Sequence, residues 1–376
     1  MGGHERLSGR KARARPLMRA HKIRAAVLRK SGGPLRLENL ELEGPAEDEV
    51  RVAVAASGIC HTDISFIDDW AGEPVVLGHE GAGIVEEVGK KVTGIVPGDH
   101  VVLSYQSCGA CAECKKGRPF ECERFFEANF GFNRLDGSNG LARSGVKGHF
   151  FGQSSFATHC LASERNIVKV GKDLPLEVLA PLGCGIQTGA GTIINIFKVK
   201  KGQSVAVFGT GAVGLAAVMA ARLRGAYPII GVDIIPERLK LGVELGATHA
   251  VDSHHEYVAS RIRAITGKGV DFVLDTTGSY KMSRFSIEAL NPGGIAADVT
   301  GIASTGALPE GRKAISVIQG NAVPQRFIPE LIRIYKAGLF PFDRLIKYYD
   351  FSDINKAIAA SRNGSAIKPV LRMGKV

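Results

Sequence analysis

No apolar run opens the chain. Its first 24 residues hold eight Lys/Arg (Arg6, Arg10, Lys11, Arg13, Arg15, Arg19, Lys22, Arg24) against one acid, Glu5. A secretory signal needs an apolar core segment, so none is expected, although Arg-rich, acid-poor composition is shared with transit peptides. Low apolar content without periodicity predicts a disordered basic extension over residues 1–22, with Met18 as an alternative start. Most of the formal net charge of +11 sits there, so the body is only mildly basic and any nucleic-acid binding has to rest on the tail. Unbroken membrane-length segments are missing too: Val178 to Phe197 and Gly202 to Ala221 carry no charge but are interrupted by glycines, the first also by Pro181. No membrane segment is expected. Nor does any repeat recur at solenoid or propeller periods.

What is present is ordinary globular material. With 45% hydrophobic and 23% charged residues, disordered, collagen-like and coiled-coil classes are excluded. A length of 376 residues exceeds what one core usually organises, which predicts two domains. From Ile23 to about Leu103, short β-branched runs (Arg24 to Leu28, Glu49 to Ala55, Gly83 to Val88, His100 to Leu103) are separated by Gly and Pro turns, the pattern of a mainly β domain. Beyond residue 186, apolar strands alternate with helical stretches: Val205 to Phe208, Ile229 to Val232, Ala250 and Val251, Phe272 to Leu274, Ile295 to Val299. That alternation specifies a doubly wound parallel sheet covered on both faces. The last fifty residues lose the pattern, and Pro324, Pro329 and Pro341 predict irregular connections returning to the first domain. The expected division is 23–185 with 326–376, and 186–325 as the dinucleotide-binding domain.

Gly209-Thr210-Gly211-Ala212-Val213-Gly214 is a G-x-G-x-x-G between an apolar strand and an Ala/Val/Leu-rich helix. Such a turn lets backbone approach a pyrophosphate, and the helix start offers it unpaired N–H groups. Asp233 follows at the end of the next strand, where a carboxylate accepts from a ribose diol and repels a 2′-phosphate. NAD is favoured over NADP.

Four of the seven cysteines, Cys108, Cys111, Cys114 and Cys122, form a C-x2-C-x2-C-x7-C knot. Four thiolates close a tetrahedral shell around zinc and leave no open position, so this metal is expected to support folding. An iron–sulfur cluster is the competing metal, but no Pro follows the last Cys as in the bacterial run. The knot's basic residues Lys115, Lys116, Arg118 and Arg124 are largely offset by Glu113, Glu121 and Glu123, against a nucleic-acid-binding zinc ribbon. Clustered thiols without a signal segment predict a reducing, cytoplasmic location.

A second constellation is dispersed. Gly58-Ile59-Cys60-His61-Thr62-Asp63, Gly78-His79-Glu80-Gly81 and Gly183-Cys184-Gly185 set ligand-type residues beside glycines. Cys60, His79 and Cys184 supply two thiolates and an imidazole, the three ligands that leave a catalytic zinc one open position. Taken singly, each reads as a buried thiol or a satisfied core histidine, and only the three together point to a metal.

In this order the segments Gly58 to Asp63, Gly78 to Gly83, Cys108 to Cys122, Gly183 to Gly191 and Gly209 to Gly214 resemble the zinc-dependent medium-chain alcohol dehydrogenases, from about Ile23 to the C-terminus. Glu127 to Gly131, Phe150 to Phe156 and Pro324 to Phe327 look like the aryl-alcohol branch, which includes benzyl-alcohol and geraniol dehydrogenases. The resemblance implies a GroES-like catalytic domain beside a Rossmann domain, two zinc ions per chain, NAD, and a homodimer or homotetramer. It implies reversible hydride transfer from a zinc-bound primary aromatic or allylic alcohol to NAD. Zinc-free quinone reductases share the fold, but they lack both zinc sites. Cys60, His79 and Cys184 fall on the catalytic zinc with Glu80 as an alternate ligand, Asp63 orients the ligand histidine, and Thr62 bonds the alcohol. Thr188 falls beside the nicotinamide, Arg238 near the adenosine ribose, and His61 and Lys368 near the pyrophosphate. Trp70, Ser104 and Tyr105 fall near the substrate cleft, although Trp70 and Tyr105 also suit ordinary domain core. Where many relatives have a proton-relaying histidine five residues after the first zinc cysteine, this chain has Ser65. Cys160 is expected to be buried and inert, and His254 and His255 to lie on the surface.

Overall fold

The computed structural model describes residues 20–301 and 308–374. The expected extension over residues 1–22 lies almost wholly outside them. Its last three positions do not, and two of them are in a strand: β1 (His21–Leu28) begins at His21 and pairs Lys22 with Glu41 of β2 (Arg36–Leu42). Alternation explains the early start: inward-facing residues from Ile23 onward are buried, so pairing extends back along the strand.

The N-terminal part is mainly antiparallel. β1 pairs with β2 and with the short β4 (Val75–Val76), while β3 (Glu49–Gly58) lies between β5 (Glu80–Val88) and β16 (Lys368–Arg372). β5 continues to β6 (His100–Leu103) and β8 (Ile167–Val170), and β7 (His159–Ser163) also pairs with β3. The C-terminal return is therefore a strand pairing across most of the chain: Val370 faces Gly58.

A six-stranded parallel sheet has the order β11-β10-β9-β12-β13-β14, from β9 (Val205–Phe208), β10 (Ile229–Asp233), β11 (His249–Asp252), β12 (Val270–Asp275), β13 (Leu290–Asp298) and β14 (Lys313–Ser316). This is the doubly wound order whose direction reverses between β9 and β12, leaving a crevice at their carboxyl ends. β9 is buried at every residue, as expected for a strand covered on both faces.

The last fifty residues are more regular than their prolines suggest. Pro324–Lys336 is one α-helix with Pro324 in its first turn and Pro329 inside it. An interior proline costs roughly 3 kcal/mol. The helix buries Phe327, Ile328, Leu331, Ile332 and Ile334, and a fully buried side chain of this kind contributes about 1.5–3 kcal/mol. Packing outweighs the lost hydrogen bond. After it, β15 (Ile346–Asp350) pairs in parallel with β16. Among the described residues no helix is long and apolar enough to cross a membrane.

Candidate active site

Cys60 ends the loop after β3 and precedes the helix His61–Asp69, His79 and Glu80 stand at the start of β5, and Cys184 precedes the helix Gly185–Gly191. One ligand atom from each of these four residues lies within 4.8 Å of every other. Gly58 permits this approach, since a Cβ there would fall 2.0 Å from Glu80 Oε2.

Asp63 organises the cluster from one helical turn away. Its Oδ2 accepts from the Cys60 amide at 2.9 Å, and its Oδ1 accepts from the Gly78 amide at 3.1 Å and lies 3.0 Å from His79 Nδ1. This partner fixes the imidazole so that Nε2 carries the free lone pair. His79 Nε2 is buried without any hydrogen-bond partner. A buried orphan nitrogen beside two thiols is what a zinc ligand looks like before the metal's bond is counted, so the residues fit the ion. The Cys60 thiol is held well below the usual range by the hydrogen bond from Cys184 and by His79, although burial opposes this. Thiolate character suits metal binding.

Glu80 belongs to this group, but its carboxylate is already paired. Both its oxygens are held by Lys368 Nζ, at 2.9 and 3.0 Å, and Oε1 also accepts from the Gly185 amide. Lys368 is itself buried and donates to the Ile59 carbonyl. Burial pulls its ammonium down, but the Glu80 carboxylate outweighs this and holds it above the ordinary lysine value.

The remaining named residues divide by exposure. Thr62 Oγ1 is 3.8 Å from Cys60 Sγ, and the buried Thr188 donates to the Cys184 carbonyl at 2.8 Å. His61 is exposed, and Ser65, one turn later, donates to the His61 carbonyl at 3.2 Å. Ser104 is fully buried, donating to the Gly183 carbonyl and accepting from Gln187 Nε2. Tyr105 is also buried, and its hydroxyl donates to the Ala322 carbonyl at 2.6 Å. Both hydroxyls are thus committed to the protein. Trp70 is half-buried, its Nε1 donating to the Glu73 carbonyl and its ring 4.5 Å from Phe132.

Composition did not single out the aromatic wall or the glutamines. Phe151 stacks on His79 with centroids 4.4 Å apart, and Phe150 meets the same imidazole edge-on at 5.5 Å. Phe66, Phe130 and Phe132 extend this packing. Gln319, in a left-handed conformation, donates to Cys184 Sγ at 3.5 Å, and Gln153 donates to the His79 carbonyl at 2.9 Å. The pairs Phe125-Phe126 and Phe150-Phe151 were the available signal for the wall.

The glycine turn lies at the switch point. The helix Ala212–Leu223 has no side-chain cap and no acid in its first turn, so its start keeps free donors. Nothing lies within 4 Å of where a Gly211 Cβ would stand, whereas a Cβ on Gly214 would meet the Gly209 carbonyl oxygen at 1.9 Å. Open space before the helix and close packing behind it fit a pyrophosphate. Ala212 and Val213 form the first helical positions. Asp233 accepts from the Thr210 amide and hydroxyl through Oδ2 and from the Ile234 and Ile235 amides through Oδ1. Arg238, two residues into the next helix, has a buried Nε without a partner.

The four-cysteine knot is a separate lobe. Its sulfurs all lie within 4.8 Å of one another, Cys108 and Cys114 at 3.9 Å. Bonds of about 2.3 Å to a tetrahedral zinc place sulfurs roughly 3.8 Å apart. Amides of Cys108, Ala110, Cys111 and Cys114 donate to knot sulfurs. Two such donations, from Cys114 and Glu123, pull the Cys111 thiol down to about 6. Cys160 is buried and pushed up to about 12, and His254 lies on the surface.

Residues 46–172 match the alcohol dehydrogenase GroES-like domain, and residues 212–318 match the zinc-binding dehydrogenase domain. The chain is 46% identical over 360 residues to a geraniol dehydrogenase of Castellaniella defragrans, covering 92% of this chain and 96% of that one. The crystal structure of benzyl alcohol dehydrogenase from Acinetobacter calcoaceticus is similar with a TM-score of 0.90 at 44% identity, covering 94% of this chain and all of that one. An alcohol dehydrogenase zinc-binding domain protein from Burkholderia ambifaria gives a TM-score of 0.89 at 46% identity over 95% of this chain and 100% of that one.

Proposed function

Since the chain belongs to the zinc-type medium-chain alcohol dehydrogenases, we propose that it oxidises a primary aromatic or allylic alcohol, of the benzyl alcohol or geraniol type, to the aldehyde, reversibly and with NAD as hydride acceptor. The observation that carries this reading is the unpaired His79 Nε2 beside Cys60 and Cys184, with Phe150 and Phe151 packed on its ring. Two zinc ions per chain are proposed, one held by Cys60, His79 and Cys184, the other by Cys108, Cys111, Cys114 and Cys122.

When bound, zinc supplies Lewis acidity to the substrate oxygen, and NAD supplies the hydride acceptor. The Thr62 hydroxyl would accept the substrate's hydroxyl proton while passing its own on toward solvent, as a conduit and not a store. Asp63 keeps the His79 imidazole in one orientation and tautomer, and Lys368 holds Glu80 off the three ligands. The free amides at the start of Ala212–Leu223 bind the pyrophosphate, with His61 nearby. Asp233 accepts from the adenosine ribose and disfavours a 2′-phosphate, Arg238 flanks that ribose, and Thr188 flanks the nicotinamide. The rings of Phe66, Trp70, Phe130 and Phe132 exclude water and stack on a planar substrate. A homodimer or homotetramer in the cytoplasm is proposed, in keeping with two groups of reduced thiols.

An assay coupled to NAD reduction across benzyl alcohol, geraniol, cinnamyl alcohol and ethanol tests the reading. Higher kcat/KM for the aromatic and allylic alcohols is expected. A preference for ethanol would overturn the substrate class.

A further inference from the structure

Apart from both groups of zinc-ligand type, three strands bring together His21 of β1, Glu86 of β5 and His159 of β7. Their ligand atoms lie within 4.8 Å of one another. We propose that these three side chains form a further binding site for a divalent transition-metal ion of the zinc type, tying the first strand of the described chain to the sheet formed by β3, β5 and β7.

The ligand set is two imidazoles and one carboxylate, a combination that zinc accepts while keeping a fourth position for water. His159 Nε2 stands 3.4 Å from Glu86 Oε1. That is long for a hydrogen bond. It equals the roughly 3.4 Å edge of a tetrahedron with metal–ligand bonds of about 2.1 Å. His159 Nδ1 lies 3.1 Å from Thr158 Oγ1, which accepts from the Arg24 amide of β1. A partner at Nδ1 leaves Nε2 for a metal, as outer hydrogen bonds do at established sites. The His21 ring meets His159 edge-on, centroids 4.4 Å apart.

The electrostatics permit a cation here. Arg51 Nε contacts the other Glu86 oxygen, Oε2, at 3.2 Å, and its Nη1 is taken by Glu87, so Oε1 remains directed at His159. Burial holds the His159 imidazole below its ordinary value, against the pull of Glu86, so its neutral ligand form prevails at neutral pH. His159 is 2% exposed while Glu86 is open to solvent, which gives an ion one rigid anchor and an entry path.

The test is zinc stoichiometry and affinity on the purified holoenzyme, titrated with Zn(II) and counted by elemental analysis, for wild type, His21→Asn and Glu86→Gln. None of these residues belongs to the alcohol site, so alcohol oxidation reports folding. Losing even an outer partner costs ~10–100-fold in metal affinity, so each substitution of a ligand is expected to weaken one equivalent by about 100-fold or more. Wild type should bind one equivalent more than either variant, and that equivalent should raise its melting temperature. Equal stoichiometry in all three proteins, or an extra equivalent that survives either substitution, overturns the site.

Discussion

His79 Nδ1 and Asp63 Oδ1 lie 3.0 Å apart with both side chains fully buried. In the proposed zinc site the carboxylate is a positioning group, acting on His79 through the imidazole and on Cys60 through its amide. Asp63→Asn keeps the shape and loses the charge. Zinc retention against a chelator and kcat are each expected to fall ~10–100-fold. Unchanged zinc retention with lowered activity would place Asp63 in another role.

Asp233 accepts four hydrogen bonds from Thr210, Ile234 and Ile235 at the end of β10. A carboxylate held that firmly cannot turn away from a 2′-phosphate. Asp233→Ser removes the repulsion, so the ratio of kcat/KM for NAD over NADP should fall by about tenfold, ~1.4 kcal/mol. Orphaned amides are expected to lower stability by about 1–3 kcal/mol per unsatisfied group. The ratio separates cofactor choice from that general loss, and a constant ratio would count against the assigned role.

The parts of this molecule that depend on local spacing were readable from residues alone. Gly209 to Gly214 and Asp233 occupy adjacent strand ends because a βαβ unit fixes their distance. Cys108 to Cys122 is a single short loop, so its spacing was enough. The helix Pro324–Lys336 was obscured by Pro329, whose local cost is met by burial that only the folded chain reveals. Lys368 reaches Glu80 through the pairing of β16 with β3, a contact 288 residues long in sequence. Ser104 and Tyr105 stand beside the knot in sequence, but they directly follow β6 and are buried, so their hydroxyls are held by carbonyl groups. No periodicity encodes such distant partners.

The ion pairs of the knot lobe lie at its surface, and its four sulfurs converge within 4.8 Å of one another, so its order should depend on the proposed zinc. Structural zinc binds with ~10–16 kcal/mol in small zinc-binding peptides. Cys111→Ser is expected to lose one zinc, lower the melting temperature and open residues 108–124 to protease. Dinucleotide binding should survive, because the β9 to β14 sheet does not include this lobe. Resistance to protease equal to wild type would show that the lobe holds itself.

Glu49 and Arg134 form a buried pair, Nε to Oε1 at 2.7 Å, and Glu49 Oε2 also accepts from the Ala46 amide. Burial alone pushes the Glu49 carboxyl up, but Arg134 and His149 hold it below the ordinary 4.5. The unfolded chain therefore takes up this proton first as acid is added. Stabilisation from the pair is complete above pH 4.5 and is lost as pH falls through the lower folded value. Glu49→Gln removes the nearer counter-charge of the buried Arg134 and leaves it the Glu43 carboxylate at 3.6 Å, at a cost of up to ~3–5 kcal/mol near neutral pH. Melting curves of the two proteins should converge as pH falls below 4.5. Parallel curves would locate acid sensitivity elsewhere.

In the proposed reaction the proton relayed through Thr62 has to reach solvent, and Ser65 stands one turn along the same helix. Its hydroxyl donates to the His61 carbonyl, one turn back along the helix, and a serine cannot store a proton at neutral pH. An imidazole at the same position has an ordinary pKa of about 6.5 and can accept and release one there. If proton release limits turnover, Ser65→His should raise kcat for alcohol oxidation roughly tenfold above pH ~6.5, below the ~10²–10⁴ of a base acting directly on substrate. The profile should gain an inflection near that value, and the solvent isotope effect on kcat should shrink. Superimposable profiles would mean that water or His61 already carries the proton at full rate, and that the absence of a histidine at this position has no kinetic consequence.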